Sequence, residues 1–242
     1  MWRDNLRAIY YIALKDMRTY YLKPPAISWG IVFPVTWIFA FYLRMPSDFK
    51  ELVPGLIAMT TLFSTTAAEA VVINFELRIG SLERLLLAPL TVPAVLMGKI
   101  LGGFLFGLIM TTVVTIGSIF IEGVYPNIFS LAIMVIISCL VFSSLGALLC
   151  VLVKEVFEAQ TLLNLPRFIM IFLCGVVYPI SKMPAWLQYI SYAMPLTYTV
   201  HGLQNCFVVS SNLSVLRDVL ILAGFVILFI LSAVRLFYKK FE

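Results

Sequence analysis

Glu69 is the acidic residue best placed for chemistry inside an apolar stretch, because it ends the run Thr65-Thr66-Ala67-Ala68-Glu69. A charge in hydrocarbon is costly, so such a carboxylate usually faces a helix-bundle interior or a cavity. There it could line a translocation path, titrate, or accept a hydrogen bond from another helix. Because Glu69 falls less than two turns before the end of its apolar run, a solvated interfacial position also stays open.

Sequence motifs of catalysis are missing. Gly98-Lys99 is followed by Ile100 and lacks the upstream glycine of a phosphate-binding loop, and neither H-E-x-x-H nor G-x-S-x-G occurs. The single histidine, His201, has no metal or triad partner nearby in the sequence. The four cysteines show no C-x-x-C spacing and are expected to pack as small apolar side chains. We therefore expect no enzyme activity, cofactor or metal in this chain.

The composition indicates an all-α integral membrane protein. Of the 242 residues, 62% are hydrophobic and only 12% are charged, and the mean hydropathy is +1.03. A soluble domain could not cover so much apolar surface, whereas in lipid the exterior is itself apolar and helices satisfy the backbone polar groups. The net charge of +5 does not indicate nucleic acid, because the lysines and arginines lie between the apolar runs.

The region 26–242 is predicted to be a transmembrane domain of six helices. A spanning helix needs about 20 mostly apolar residues. Runs of this kind cover about 26–44, 53–75, 94–121, 128–153, 162–180 and 215–237. With six spans, twelve lysines and arginines flank one side and four flank the other, which predicts that both termini are cytoplasmic. We expect a multi-pass protein of the plasma membrane.

Residues 1–25 are predicted to form a cytoplasmic interface helix. Within 3–22, apolar residues recur every three or four positions, whereas Arg7, Lys15 and Arg18 fall largely on the other side. The apolar positions are Leu6, Tyr10, Ala13, Met17 and Tyr20. Such a helix lies in the membrane interface, and Pro24-Pro25 ends it and turns the chain into the membrane. The alternative is a soluble helix that packs against another surface.

Glycines in the third run have a spacing that lets helix backbones approach closely. They are Gly98, Gly102, Gly103 and Gly107. Dimerisation and packing within the chain both use this spacing.

Residues 181–203, before the last run, are predicted to form a helical hairpin that dips into the outer leaflet. The region is too apolar for a free loop and too often broken by proline for a span. Its breaking and anchoring residues are Tyr178, Pro179, Pro184, Trp186, Tyr189 and Pro195. The alternative is an interfacial loop that lies flat.

The connection 76–90 is predicted to carry a short helix. Ser81 can cap the start of this helix and Pro89 forbids its continuation. One face then holds leucines, and charged residues lie beside them. These residues are Leu82, Leu85 and Leu86, flanked by Glu83 and Arg84. Such a ridge fits a groove on a partner protein, although a helix lying back on the membrane is the alternative.

The stretch Phe75-Glu76-Leu77-Arg78-Ile79-Gly80-Ser81-Leu82-Glu83-Arg84-Leu85-Leu86-Leu87-Ala88-Pro89-Leu90 closely resembles the cytoplasmic loop of ABC-2 family transporter permeases, which include drug-resistance and polysaccharide exporters. A second stretch, from Gly175 through Pro179, Pro184 and Trp186 to Tyr198, resembles the outer hairpin of that family. The resemblance spans most of the chain. Two positions depart from the family pattern: His201 stands where an acid is frequent and Gln204 where Arg is frequent. Whether the outer salt bridge of family members forms here is therefore open.

The resemblance implies an export half-transporter. Two permease chains, a homodimer or a pair with a similar permease, would form the path within membrane lipid, and two separate cytoplasmic ATPase subunits would hold the ATP and magnesium. The helix Ser81 to Ala88 would sit in an ATPase groove and act as a coupling helix. Its charged contacts would be Glu76, Arg78, Glu83 and Arg84.

Candidate path residues lie in the first and second runs. They are Trp37, Phe63, Thr65, Thr66 and Glu69. A proton- or ion-coupled secondary carrier that uses Glu69 is the competing function, although such carriers often have several intramembrane acids and only one is well placed here. A membrane scaffold without transport activity is a third reading.

Overall fold

The computed structural model describes residues 2–44, 49–81, 85, 87, 90–122, 126–153, 156–207 and 212–241. Within these ranges the chain is helical and contains no β-strand. The predicted all-α class is confirmed.

The helices follow one another with short breaks at glycine, proline and polar positions. They are α1 (Trp2–Asp16), α2 (Pro24–Ile27), α3 (Phe33–Arg44), α4 (Phe49–Arg78), α5 (Val92–Glu122), α6 (Ile128–Leu152), α7 (Val156–Leu173), α8 (Ala185–Tyr192), α9 (Pro195–Phe207) and α10 (Asn212–Phe241). Two π-helical turns, Met17–Tyr21 and Ser28–Val32, lie on either side of α2, and a 3-10 turn, Ile180–Lys182, precedes α8. Asn127 caps α6, because its side-chain oxygen accepts a hydrogen bond from the Ser130 amide.

Three helices of the described chain are long and apolar enough to cross a bilayer. Their apolar parts are Val92–Phe120, Ile128–Leu152 and Leu213–Lys239, and shorter apolar helices cover Leu52–Ala67 and Thr161–Leu173. The protein is therefore an integral membrane protein, and the count of six spans stays a prediction.

Helix α7 ends at Leu173, before the predicted edge at 180. Gly175 has a φ of +80°, a left-handed conformation that L-residues with a side chain rarely adopt. The chain therefore leaves the helix at this glycine and reaches Pro179 in a turn.

Helix α1 packs on α5 through one face, and part of its predicted apolar face stays exposed. Leu6 and Tyr10 are exposed, whereas Ile12, Ala13 and Asp16 are buried. Tertiary packing decides this orientation, because Gly98 and Gly102 of α5 leave room for the α1 side chains. A Cβ at Gly98 would lie 2.9 Å from Ile12 Cβ.

Helices α4, α5 and α6 form the centre of the bundle, and α10 packs along α6. Phe63, Phe142 and Leu62 are fully buried in the main apolar core. Small residues bring the helices together: a Cβ at Gly107 of α5 would lie 2.1 Å from Thr65 Cγ2 of α4. The α5 glycines are thus used for packing within the chain.

Candidate functional site

Four charged side chains meet where α1, the end of α4 and the start of α5 converge. We call Lys15, Asp16, Glu76 and Lys99 the charge cluster. Lys99 Nζ donates to Asp16 Oδ2 at 2.8 Å and to Glu76 Oε2 at 2.5 Å. Lys15 Nζ donates to Glu76 Oε1 and lies 3.2 Å from Asp16 Oδ1. The cluster holds two positive and two negative side chains, so its charges balance.

Burial makes the charge cluster sensitive to the loss of any partner. The side chains of Asp16 and Glu76 are 0% exposed and that of Lys99 is 2% exposed, whereas Lys15 is 43% exposed. Removing one partner from a buried ion pair leaves an uncompensated charge, which is strongly destabilising. Lys15 can reach water, so Lys99 is the internal cation on which both carboxylates depend.

The two carboxyl groups of the charge cluster differ in pKa. Burial raises the pKa of Asp16, and the nearby charge of Lys99 only partly opposes this. Burial also acts to raise the pKa of Glu76, but the charge of Lys99 and hydrogen bonds from Lys15 and Lys99 lower it overall. Glu76 receives hydrogen bonds from both ammonium groups, which is why it holds its charge better than Asp16.

The predicted coupling segment, 76–90, begins at Glu76 of the charge cluster. Helix α4 ends at Arg78, and Gly80 turns the chain with a φ of +68°. Leu85 packs beside the apolar group of Ile73, Val95 and Leu96, while Leu87 is 86% exposed. The Ser81 hydroxyl, proposed as a helix cap, has no hydrogen-bond partner in the part of the chain that the structure describes. The predicted contacts Leu82, Glu83, Arg84 and Leu86 lie outside the described residues, as does the side chain of Arg78.

Glu76 was predicted to contact an ATPase subunit. In the structure its carboxylate points into the charge cluster and is 0% exposed. Its direct partners are therefore Lys15 and Lys99 of this chain.

Glu69 lies at the junction of α4, α5 and α6 and is fully buried. The Ser143 hydroxyl lies 2.9 Å from Glu69 Oε1 and 2.7 Å from the Ile100 carbonyl, and its single proton serves one of them at a time. Gly103 and Gly146 make room for the carboxylate, since a Cβ at Gly103 would lie 2.3 Å from Glu69 Oε1. The Oε2 atom has no hydrogen-bond partner among the described residues. Glu69 is therefore an internal residue here and not a solvated one.

The other polar path candidates of α4 are buried too. Thr65 Oγ1 donates to the Thr61 carbonyl at 2.7 Å, so its hydroxyl is used within its own helix. Thr66 Oγ1 accepts a 2.7 Å hydrogen bond from Arg167 Nε of α7. Thr66 thus joins α4 to a buried arginine.

Arg167 is a functional candidate that sequence reasoning missed. Its side chain is 1% exposed. It also donates from Nη1 to Asn164 Oδ1 at 3.0 Å, and its guanidinium lies 5.3 Å from the centre of the Phe63 ring. Its Nη2 has no hydrogen-bond partner in the described chain. The signal that could have revealed it was a lone arginine within the apolar run 162–180.

Aromatic side chains of α3, α4 and α7 pack against one another next to Arg167. The Phe33 and Phe63 ring centres are 4.6 Å apart, and the Phe33 and Phe168 centres are 6.2 Å apart. Trp37, a path candidate, packs edge-on against Phe172 at 5.7 Å. Phe63 of α4 and Trp37 of α3 therefore both take part in ring contacts among α3, α4 and α7.

The predicted outer hairpin consists of two short helices, α8 and α9. Pro184 stands directly before α8 and Pro195 is the first residue of α9, positions that proline tolerates because it needs no amide hydrogen there. Trp186 is 64% exposed, and Tyr178, also exposed, lies with Pro179 in the turn before α8. The depth of this hairpin in a membrane stays a prediction.

A hydrogen bond between His201 and Asp218 joins α9 to α10. His201 Nδ1 lies 2.6 Å from Asp218 Oδ2, and Arg217 Nη2 lies 3.3 Å from Asp218 Oδ1. The Asp218 side chain is 0% exposed. A cavity of about 490 Å³ opens beside this pair, lined by Leu52, Tyr198 and Gln204 among others. Among the described residues, no group of metal-binding side chains large enough to hold an ion occurs.

Comparison with known proteins agrees with the resemblance seen in the sequence. The chain is 29% identical over 185 residues to the probable multidrug ABC transporter permease YbhS of Escherichia coli (strain K12), which covers 74% of this chain and 48% of that protein. It is 28% identical over 211 residues to the putative transport permease ycf38 of Cyanophora paradoxa, covering 78% of this chain and 70% of that protein. For the inner membrane transport permease YadH of Escherichia coli (strain K12), the identity is 26% over 191 residues, with coverage of 76% and 73%.

The chain thus spans about half the length of YbhS. The family model described as ABC-2 type transporter matches residues 7–208, which include most of α1, the segment after α4 and both hairpin helices. The chain belongs to the ABC-2 type transporter family.

Proposed function

We propose that this protein is the transmembrane permease subunit of an ATP-binding-cassette exporter. The observation that carries the proposal is its membership of a transporter family across residues 7–208. The chain would form the translocation path, and separate ATPase subunits would supply the energy. Six spans with both termini in the cytoplasm would place the segment 76–90 on the ATPase side.

The working assembly would contain two permease chains and two cytoplasmic ATPase subunits. The second permease chain would be another copy of this protein or a similar one. ATP and magnesium would bind in the ATPase subunits. One relative is a probable multidrug ABC transporter permease, which supports small amphipathic molecules as the first cargo class to test.

Coupling would pass through the segment 76–90. ATP-driven closure of the ATPase subunits would push this segment and shift the population of inward-facing and outward-facing states. The 86% exposure of Leu87 supports an apolar contact outside the chain. Since Glu76 is buried in the charge cluster, we assign the charged contacts with the ATPase to Arg78, Glu83 and Arg84.

The path would run beside α4. Phe63, Thr66 and Glu69 are all buried there, and the unpaired atoms of Glu69 and Arg167 are the polar groups that a path would use. An ion-coupled carrier is the weaker proposal, because the family is one of ABC-2 type transporters.

Coupling can be tested by co-purification with an ABC ATPase subunit that is expressed together with this protein. We expect Glu83→Lys, and Leu82→Ala with Leu85→Ala, to weaken the complex by about 2 kcal/mol, roughly thirtyfold, as loss of an interface hot spot does. Leu213→Ala is the matched control. This leucine is 77% exposed and lies at the start of α10, outside the coupling segment. Unchanged assembly and unchanged ATP-dependent transport in both coupling variants would remove the coupling proposal. Transport that survives ATP depletion and follows a proton gradient would instead favour the carrier.

A further inference from the structure

Lys99 connects two helices that are far apart in the sequence. It bonds Asp16, which is 83 residues away at the end of α1, and Glu76, which is 23 residues away at the end of α4. Lys99 itself lies in the first turns of α5. One ammonium group therefore holds the ends of three helices.

Buried charges resist sliding more strongly than apolar contacts do. Leucine and isoleucine side chains can move past one another with small changes in energy, but a displacement that separates Lys99 from either carboxylate leaves a buried charge without its partner. Both carboxylates are 0% exposed, so water cannot replace the lost bond without opening the helix junction. The charge cluster thus favours one relative position of the three helix ends.

The packing around the charge cluster supports a close fit of α1 on α5. A Cβ at Gly102 would lie 3.1 Å from Tyr21 Cε2 and 3.6 Å from Asp16 Cβ. Glu76 is two residues before the end of α4 at Arg78, and the turn at Gly80 follows. The charge cluster therefore includes the first residue of the segment 76–90, which the proposed function assigns to the ATPase.

We infer that Lys99 is a positioning residue that locks α1 and the end of α4 to α5, so that a push on the segment 76–90 moves all three together. The push itself rests on the proposed function. The lock is a property of this chain alone and can be measured without an ATPase. If Lys99 merely stabilised the fold, any neutral replacement of the charge cluster that restored stability would restore the arrangement and the coupling as well.

The test measures the distance distribution between spin labels on Arg18→Cys and Ile79→Cys, both exposed positions, in protein reconstituted in nanodiscs. All four native cysteines are buried, so labelling is confined to the added ones. We expect a narrow distribution in the parent protein and in Lys99→Arg, and roughly a doubling of its width in Lys99→Met. Lys182→Met, a change at an exposed lysine in the turn before α8, is the matched control and should leave the width unchanged.

The triple variant Asp16→Leu, Glu76→Met, Lys99→Met separates locking from stability. Replacement of a buried ion network by apolar residues of similar size is often without loss of stability, so this variant should melt near the parent temperature and still show the broad distribution. If Lys99→Met alone fails to fold, the spin-label distances are measured in the triple variant instead. A narrow distribution in the triple variant, or in a folded Lys99→Met protein, overturns the inference.

A second readout separates this inference from the proposed function. When the triple variant is expressed with the proposed ATPase subunit, we expect it to retain assembly with that subunit but to lose most of the transport per ATP hydrolysed. If the parent protein binds no ATPase at all, the proposed function fails. The spin-label result still shows whether Lys99 fixes α1 and the end of α4 to α5. If the triple variant transports as the parent does, Lys99 is structural only and the inference fails.

Discussion

Buried ionisable side chains of this protein fall into two kinds. Lys99 has carboxylate partners within 2.8 Å, whereas Glu69 and Arg167 form no ion pair among the described residues. A balanced cluster holds structure in place, because its charges are already satisfied. Buried charges without a counter-ion are the ones that mark functional paths in membrane proteins.

The pKa shifts of the charge cluster predict how stability depends on pH. Because the pKa of Glu76 is lowered below 4.5, its contribution is present above pH 4.5 and is lost as the pH falls through the folded-state pKa. The pKa of Asp16 is raised above 3.8, so its neutralisation on acidification partly offsets this loss. Each unit of pKa difference is worth about 1.4 kcal/mol.

Melting temperatures measured from pH 7 down to pH 3 check this prediction. Glu76→Gln should flatten the acid-side loss of stability, and Asp16→Asn should steepen it. Equal slopes in both variants and the parent would show that other groups govern acid unfolding.

Helix packing in this bundle depends on which glycines of α5 touch a neighbour. A Cβ at Gly103 would lie 2.3 Å from Glu69 Oε1, and one at Gly107 would lie 2.1 Å from Thr65 Cγ2. A Cβ at Gly117 of the same helix would meet nothing within 4 Å. One helix therefore supplies both the test positions and their control.

Alanine at the contact glycines should loosen α4 from α5. We expect Gly103→Ala and Gly107→Ala to destabilise the protein by about 1–3 kcal/mol through overpacking. Gly117→Ala should be neutral or stabilising by up to about 1 kcal/mol, since alanine favours a helix more than glycine does. Thermal unfolding in detergent, followed by size-exclusion chromatography after heating, measures the difference. Similar losses at all three positions would contradict the packing described here.

The described part of the chain is a helix bundle in which α10 presents an apolar outer surface. Along α10, Leu216, Leu220 and Leu231 are more than half exposed, as expected for a helix that faces lipid. The charge cluster and the His201–Asp218 pair lie at different ends of the long helices, since Glu76 ends α4 and Asp218 begins α10.

Cysteine labelling in cells tests how the chain is oriented in the membrane. With both termini cytoplasmic, Arg18→Cys and Tyr238→Cys should react with a membrane-impermeant reagent only after permeabilisation, whereas Trp186→Cys should react in intact cells. The four native cysteines are buried, so the unmodified protein is the background control. Labelling of Trp186→Cys only after permeabilisation would invert the topology and place the segment 76–90 on the outside.

Local sequence features determined the class of this protein. Apolar runs longer than 18 residues indicate helices in lipid because a helix satisfies its backbone hydrogen bonds within one segment. Glycine and proline positions marked the breaks, such as Pro184 and Pro195, because these residues act on the backbone locally. The stretch from Phe75 to Leu90 was enough to indicate the family, which the match over residues 7–208 confirms.

Tertiary structure alone decided which charges meet. Asp16 and Glu76 lie outside the predicted apolar runs and Lys99 lies near the start of the run 94–121, positions where sequence reasoning treats charges as topology signals. Their pairing depends on α1 packing against α5 through a face that includes Asp16, and the apolar periodicity of α1 does not specify which helix that face meets. A contact between residues that are 83 positions apart in the sequence depends on the positions of whole helices. No local pattern of residue types encodes those positions.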